Sequence, residues 1–299
     1  MAPSDDPAPK PTEPIPDETL APGLYITATP IGNAADITLR ALSVLRKCDA
    51  IVAEDTRVTA RLLALHGISR PLLIYNEHNA AAVETKLLQR LRSGERLALV
   101  GDAGTPLISD PGLRLVKAAR DEGLPVFPVP GPSAVIAALS AAGIPTTPFL
   151  FAGFSPARQG ERRSMLKQLR AVAATLVFYE SPQRLCESLA DMAKLLGDRD
   201  ACVAREITKL HEELRRGSLR QLQEHYSSNP PRGEVVVIVA PGEDEGPDPA
   251  LIDSLLRQAL PFMPVKAAAS LIAEATGTGR RPVYDRALGL AGKGHETGN

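Results

Sequence analysis

From Gly23 onward the sequence alternates short apolar runs with stretches of helical spacing, and that alternation restricts the fold more than any other feature. LYITATP (24–30), DAIVAED (49–55), PLLIYN (71–76), RLALVG (96–101) and LPVFPVP (124–130) read as strands. TLRALSVLRKC, TARLLALHG, AAAVETKLLQRLRSG, GLRLVKAARDEG and SAVIAALSAAG read as helices, several with a Gly stop. Strands that alternate with helices predict an α/β fold, a parallel sheet covered on both faces. Ligands of such sheets bind beyond the carboxyl ends of the strands. Four Gly-rich or charged motifs stand there: TPIGN (29–33), AEDTR (53–57), GDAGTP (101–106) and PGPSA (130–134).

The second half repeats the style. TLVFYES, ACVAREIT and GEVVVIVAP read as strands; SPQRLCESLADMAKLLG and SLRQLQEHY read as helices. Residues 1–22 are Pro-rich and acidic, too poor in apolar surface to offset the entropy of ordering, and predict a disordered tail. The expected organisation is a first α/β domain over 23–146, a second over 147–242, an acidic linker over 243–249 and a helical module over 250–291. No internal repeat is evident.

Composition narrows the class further. Aromatic residues make up 4% and Trp is absent, so the cores must be built from Ala, Val, Leu and Ile. A formal net charge of -1 argues against a freely scanning nucleic-acid binder, and RNA contacts would have to come from local patches. Cys48, Cys186 and Cys202 are odd in number and form no CxxC pair, which predicts neither a disulfide framework nor a metal site and suits a reducing cytoplasm. No run is long enough for a membrane span.

GDAGTP lacks the Lys-Ser/Thr of a P-loop and is not GxGxxG, so neither a triphosphate nor a dinucleotide is implied. AEDTR brings Glu54, Asp55 and Arg57 to a strand end, where a helix cap and a surface ion pair compete with a place in a cleft. His78 in NEHN is a candidate base; His66 suits a helix end, and Asp110 before Pro-Gly suits a turn. Arg158, Arg162, Arg163, Lys167 and Arg170 cluster after FAGFSP and could hold RNA phosphates, with Arg215 and Arg216 extending the patch.

The ordered set GLYITATPIGN, AEDTR, GDAGTPLISDPG, PGPSAVIAALSAAGIP, FAGFSP, VFYESPQR, AREITK and GEVVVIV resembles the tetrapyrrole-methylase superfamily. Within it, the set is similar to the bacterial branch that methylates a cytidine ribose 2′-hydroxyl in 16S ribosomal RNA. The resemblance implies two α/β domains with S-adenosylmethionine in the cleft between them. It places Pro30, Asp102, Ala103, Gly104, Thr105, Pro106, Ser133 and Ala134 at the cofactor from the first domain, and Tyr179, Ala204 and Gly233 to Val235 from the second. Asp55, Arg57, Glu206 and Lys209 are the implied catalytic set, the proton acceptor being Asp55, Glu206 or a Lys209 of lowered pKa. Arg158, Arg162, Arg163, Lys167 and Arg184 are the implied RNA contacts. The C-terminal helices resemble the helix-turn-helix-like module of that branch, which works on the small ribosomal subunit as a homodimer, without metal or membrane. A corrin precursor, a protein substrate of the diphthine-synthase kind, or a non-catalytic RNA-binding role are the competing readings.

Overall fold

The computed structural model describes residues 19–76, 79–108, 112–242 and 249–293. Most of the Pro-rich segment (1–18), His78, Asp110 and nearly all of the acidic linker (243–248) lie outside them. The chain divides into two compact units, one reaching to Arg170 and continuing over Ala174–Ala240, the other comprising Ala171–Ala173 and the residues from Pro241 onward.

The first unit holds two sheets. In the first, β1 (Gly23–Thr27), β2 (Ala50–Ala53), β3 (Leu72–Ile74), β4 (Arg96–Val100) and β5 (Val126–Val129) are parallel throughout, in the order β3-β2-β4-β1-β5. Period-two alternation along β4 sends Leu97 and Leu99 to one face, Ala98 and Val100 to the other. On the Ala98 face lie Ala41, Val44 and Leu45 of α1 (Leu39–Lys47) and Leu63 of α2 (Thr56–Leu65). On the Leu97 face lie Leu87 and Leu91 of α3 (Ala80–Arg92) and Leu115 of α4 (Leu113–Asp121). Side-chain caps start two of these helices. Thr38 accepts from the Ala41 amide at 3.1 Å and Asp55 from the Arg57 amide at 2.8 Å, each cap contributing about 1 kcal/mol.

The second sheet is mixed, in the order β6-β7-β10-β8-β9. β6 (Phe149–Phe154) runs parallel to β7 (Thr175–Glu180). β8 (Asp200–Arg205), β9 (Glu213–Ser218) and β10 (Val235–Val239) join by antiparallel pairing. The sequence pattern did not reveal β9: ELRRGS has one large apolar residue, which an edge strand paired on one side tolerates. One face of this sheet is covered by α5 (Ala134–Ala141), whose Val135, Ala138 and Leu139 pack on Val177, Cys202, Val236 and Ile238. The helix that follows PGPSA therefore leaves the first sheet and docks on the second, fastening the two halves into one unit. Next to the sheet, α7 (Leu185–Leu196) packs against α6 (Gln159–Leu169) and α8 (Leu219–Ser228).

The other unit is a three-helix module of α9 (Pro249–Ala259), α10 (Val265–Thr276) and α11 (Arg280–Lys293). Ile252, Leu256, Ala269, Ile272 and Val283 form its core, and Arg286 grips Asp253 at 2.7 and 2.8 Å. Arg286 is thereby engaged inside the module, while Arg280 and Arg281 are exposed. No helix among the described residues is long and apolar enough to cross a membrane.

The structure corrects one sequence expectation at α6. Arg162 is fully buried, its Nε donating to Asp191 of α7 at 2.9 Å and its Nη2 2.7 Å from the same carboxylate. Arg163 donates to the other Asp191 oxygen at 2.7 Å. The Arg162 guanidinium has no access to RNA phosphate; it joins two helices. Removing one member of a buried pair strands the other charge, so Asp191→Ala should lose about 3–5 kcal/mol of unfolding free energy in urea. The exposed pair Arg92–Glu122 is the control: Glu122→Ala should lose no more than about 1 kcal/mol.

Candidate active site

The four strand-end motifs of the first sheet meet around the GDAGTP loop. Thr29 and Gly104 exchange backbone hydrogen bonds of 2.9 and 3.0 Å, tying TPIGN to it. The Asp55 amide donates to Asp102 Oδ1 at 3.0 Å, tying AEDTR. Thr105 Oγ1 donates to the Pro132 carbonyl at 3.1 Å, tying PGPSA. Gly104 takes φ +80°, and a side chain there would press on Ile31, so glycine is needed both for the turn and for the approach.

The second sheet supplies the opposite wall. Tyr179, at the end of β7, meets Phe154 edge-on with ring centroids 5.2 Å apart. The neighbouring Glu180 is buried; it accepts from the Ser181 amide at 2.7 Å and from the Ser188 hydroxyl, with Arg184 3.3 Å away. Its carboxylate thus fixes the Ser181–Pro182 segment. After β8 the chain makes a strained turn, with Glu206 at φ 50° and Thr208 at φ 66°. Non-glycine residues in this region cost of order 1–3 kcal/mol each and persist where their surroundings dictate them. Glu206 accepts from the Glu234 amide and from Lys209 Nζ, both at 2.9 Å, and Lys209 also reaches Glu234 at 3.0 Å. Gly233, at φ +87°, is the only kind of residue that leaves room for the Glu206 carboxylate. The turn is clasped to the first sheet's loops: Thr208 Oγ1 accepts from the Asn33 amide at 3.2 Å, and the Lys209 stem lies over Gly32.

These walls enclose a cavity of about 370 Å³, within the range of small-molecule and cofactor sites. Asp102, Ala103, Gly104, Thr105, Ser133 and Ala134 line it from one side, Tyr179, Gly233 and Val235 from the other. Sequence reasoning missed Ile31, Ile108, Phe154, Glu180, Ile207 and Val236, which also line it. Glu180 was signalled only by its place in VFYES. Three of the anticipated residues stand elsewhere. Ala204 is fully buried beneath the cavity, in the core that packs α5 on the sheet. Pro106 is buried in its turn. Pro30 lines a second cleft of about 280 Å³, which adjoins the first through Ile31, Asp102, Ala103 and Glu234 and also contains Lys209.

The anticipated catalytic residues fall into two ion-paired groups, of which only Lys209 lines the second cleft; Glu206 is bonded to it, and Asp55 is bonded through its amide to the lining residue Asp102. Arg57 holds the Asp55 carboxyl at about 2, far below the usual carboxylate range, through side-chain and backbone hydrogen bonds. Lys209 and the Glu234 amide lower Glu206 in the same way. For Lys209, burial works to lower the ammonium's pKa, but the bonds from Glu206 and Glu234 outweigh it and the net shift is upward. The expectation of a lowered lysine is therefore corrected: two carboxylates keep Lys209 charged. Of the anticipated RNA contacts besides Arg162, Arg158 and Lys167 are exposed. Arg158 contacts Glu161 at 3.1 Å, and Arg163 and Arg184 are engaged as described above.

Comparison with known proteins agrees with this architecture. The family model described as Tetrapyrrole (Corrin/Porphyrin) Methylases matches residues 23–223, and the RsmI C-terminal HTH domain matches residues 246–291. The ribosomal RNA small subunit methyltransferase I of Mesorhizobium japonicum is 51% identical over 278 residues, covering 92% of this chain and 95% of that protein. The protein of the same name from Erythrobacter litoralis is 51% identical over 273 residues, covering 91% and 97%. Among solved structures, a uroporphyrin-III C-methyl transferase from Thermus thermophilus complexed with S-adenyl homocysteine superposes with a TM-score of 0.53 at 20% identity, covering 73% of this chain and 97% of that one. The two sheets, the strand-end cavity and these matches together make the chain a member of the tetrapyrrole methylase family and, within it, of the group formed by the ribosomal RNA small subunit methyltransferases I.

Proposed function

We propose that the chain transfers a methyl group from S-adenosylmethionine to the 2′-hydroxyl of a cytidine at the decoding centre of 16S ribosomal RNA. The coarser part, S-adenosylmethionine-dependent methylation of ribosomal RNA, goes with the family. The observation that carries the reading is the pair of adjoining pockets. One has the size and lining of a cofactor site, and the next adjoins it, sharing Ile31, Asp102, Ala103 and Glu234 as a common wall.

The first pocket suits the cofactor chemically. The small residues Ala103, Gly104 and Ala134 leave room, and Asp102 and Glu234 bring negative charge toward a cationic ligand. When bound, S-adenosylmethionine supplies an electrophilic methyl on a sulfonium whose leaving group departs uncharged. The protein's part is to hold the hydroxyl oxygen in line with that carbon, a positioning effect on the order of 7 kcal/mol or more. Asp55 and Glu206, ionised near neutral pH, can take the hydroxyl proton; the charged Lys209 cannot. Arg158, Arg163, Lys167 and Arg184 are proposed to hold flanking phosphates, with the three-helix module as a second RNA contact and two copies of the chain working together in the cytoplasm.

Incubation with labelled S-adenosylmethionine and undermethylated small subunits, followed by mapping of the label, tests the proposal; label on a base or on the large subunit would overturn it. Asp102→Ala should weaken S-adenosylmethionine binding at least tenfold in calorimetric titration, about 1.4 kcal/mol, in a protein that melts as a folded one; unchanged affinity would remove Asp102 from the site. Truncation of residues 249–299, a unit with its own core, should leave cofactor affinity intact and lower the methylation rate of subunits. Full activity in the truncated protein would refute a docking role for the helices.

A further inference from the structure

The second cleft has a wall that the proposed chemistry has not used. α2 turns Val58, Leu62 and Leu65 into it, at i, i+4 and i+7, one apolar stripe of the helix. A stripe of that spacing normally faces a core. Here Leu65 is 71% exposed and Val58 37% exposed; Leu62 is half-buried against the core that holds Leu63, and the buried Thr59 lines the cleft between them. Opposite the stripe stand the polar groups of Asp102, Lys209 and Glu234. Arg61 lies on the exposed side of the same helix.

We infer that this cleft receives the target nucleoside, splayed out of its RNA strand, with the base lying on Val58, Leu62 and Leu65 of α2. The inference rests on the methyltransfer reading of the adjoining cavity and adds the occupant of the second one. Enzymes that act on a nucleotide within structured RNA take it out of the stack and hold the base against apolar side chains. The cleft volume, about 280 Å³, exceeds the roughly 150 Å³ of a cavity that admits one benzene ring, leaving space for a pyrimidine with its sugar. The carboxylates opposite are acceptors, which match the exocyclic amine and the ribose hydroxyls of a cytidine. The shared residues Asp102 and Ala103 put the sugar end beside the cofactor cavity.

The test uses the full-length double variant Val58→Ser with Leu65→Ser, both at exposed positions of α2. Three quantities are measured: KM for undermethylated small subunits, S-adenosylmethionine affinity by calorimetry, and molar mass in solution. The expected result is a KM for subunits raised at least tenfold, with cofactor affinity within twofold of the unaltered protein and the same molar mass. Restoring Leu65 as Met should recover most of the loss. A KM unchanged in the variant overturns the assignment. A changed molar mass would give the stripe to a second copy of the chain and likewise overturn it. The unaltered protein separates the two levels. If it fails to label subunits, the methyltransfer reading fails and the nucleoside site with it; if it labels them while the variant is indistinguishable, the nucleoside site alone is wrong.

Discussion

The exchange of two backbone hydrogen bonds between Thr29 and Gly104 is the contact on which the site depends. Each strand of the first sheet ends in a loop, and a loop left alone retains conformational freedom worth about 1–2 kcal/mol per residue. The Thr29–Gly104 bridge removes that freedom for two loops together, and the Asp55–Asp102 and Thr105–Pro132 bonds extend the bracing to the other two. A ligand entering the cavity therefore meets groups already fixed. The parallel strand order makes the arrangement possible, because β1, β2, β4 and β5 all end at the same edge.

Charge is handled by local pairing. The chain is nearly neutral, and most of the cations discussed above are bound to a carboxylate. Arg57 holds Asp55, Lys209 holds Glu206 and Glu234, and Arg162 with Arg163 encloses Asp191. The pairs differ in function by depth. The Asp191 cluster, buried between α6 and α7, is a joint in the fold. The Lys209 cluster, at the cleft, stays accessible and connects the second sheet to the TPIGN loop of the first.

Much of the fold was legible because its signal is periodic. The alternation of strand and helix patterns pointed to the first sheet, and three of the four motifs at its carboxyl edge line one wall of the cavity, AEDTR bracing it through the Asp55 amide. What was not legible depended on partners distant in sequence. α5 reads as a generic small-residue helix, and nothing in AVIAALSA says that it will cover Val177 and Ile238 rather than its own sheet. Arg162 sits in a basic run that looks like a solvated face until Asp191, 29 residues on, is brought against it. The same is true in part of Lys209: Glu206 stands only three residues before it, but Glu234, which adds to its upward shift, reaches it only when β8 and β10 pair. β9 escaped because an edge strand places few demands on its sequence.

The left-handed turn at Glu206 and Thr208 bears on how this protein can be made hardier. Glycine adopts such backbone angles without the clash that a side chain suffers, so a search guided by melting temperature alone would be drawn toward Thr208→Gly. That exchange would delete the hydroxyl that accepts from the Asn33 amide and release one of the two fastenings between the sheets at the mouth of the cleft. Heat resistance and catalytic precision pull in opposite directions at this residue. Hardening is better sought at a distance, in the surface pairs of α3 and α4 or inside the three-helix module.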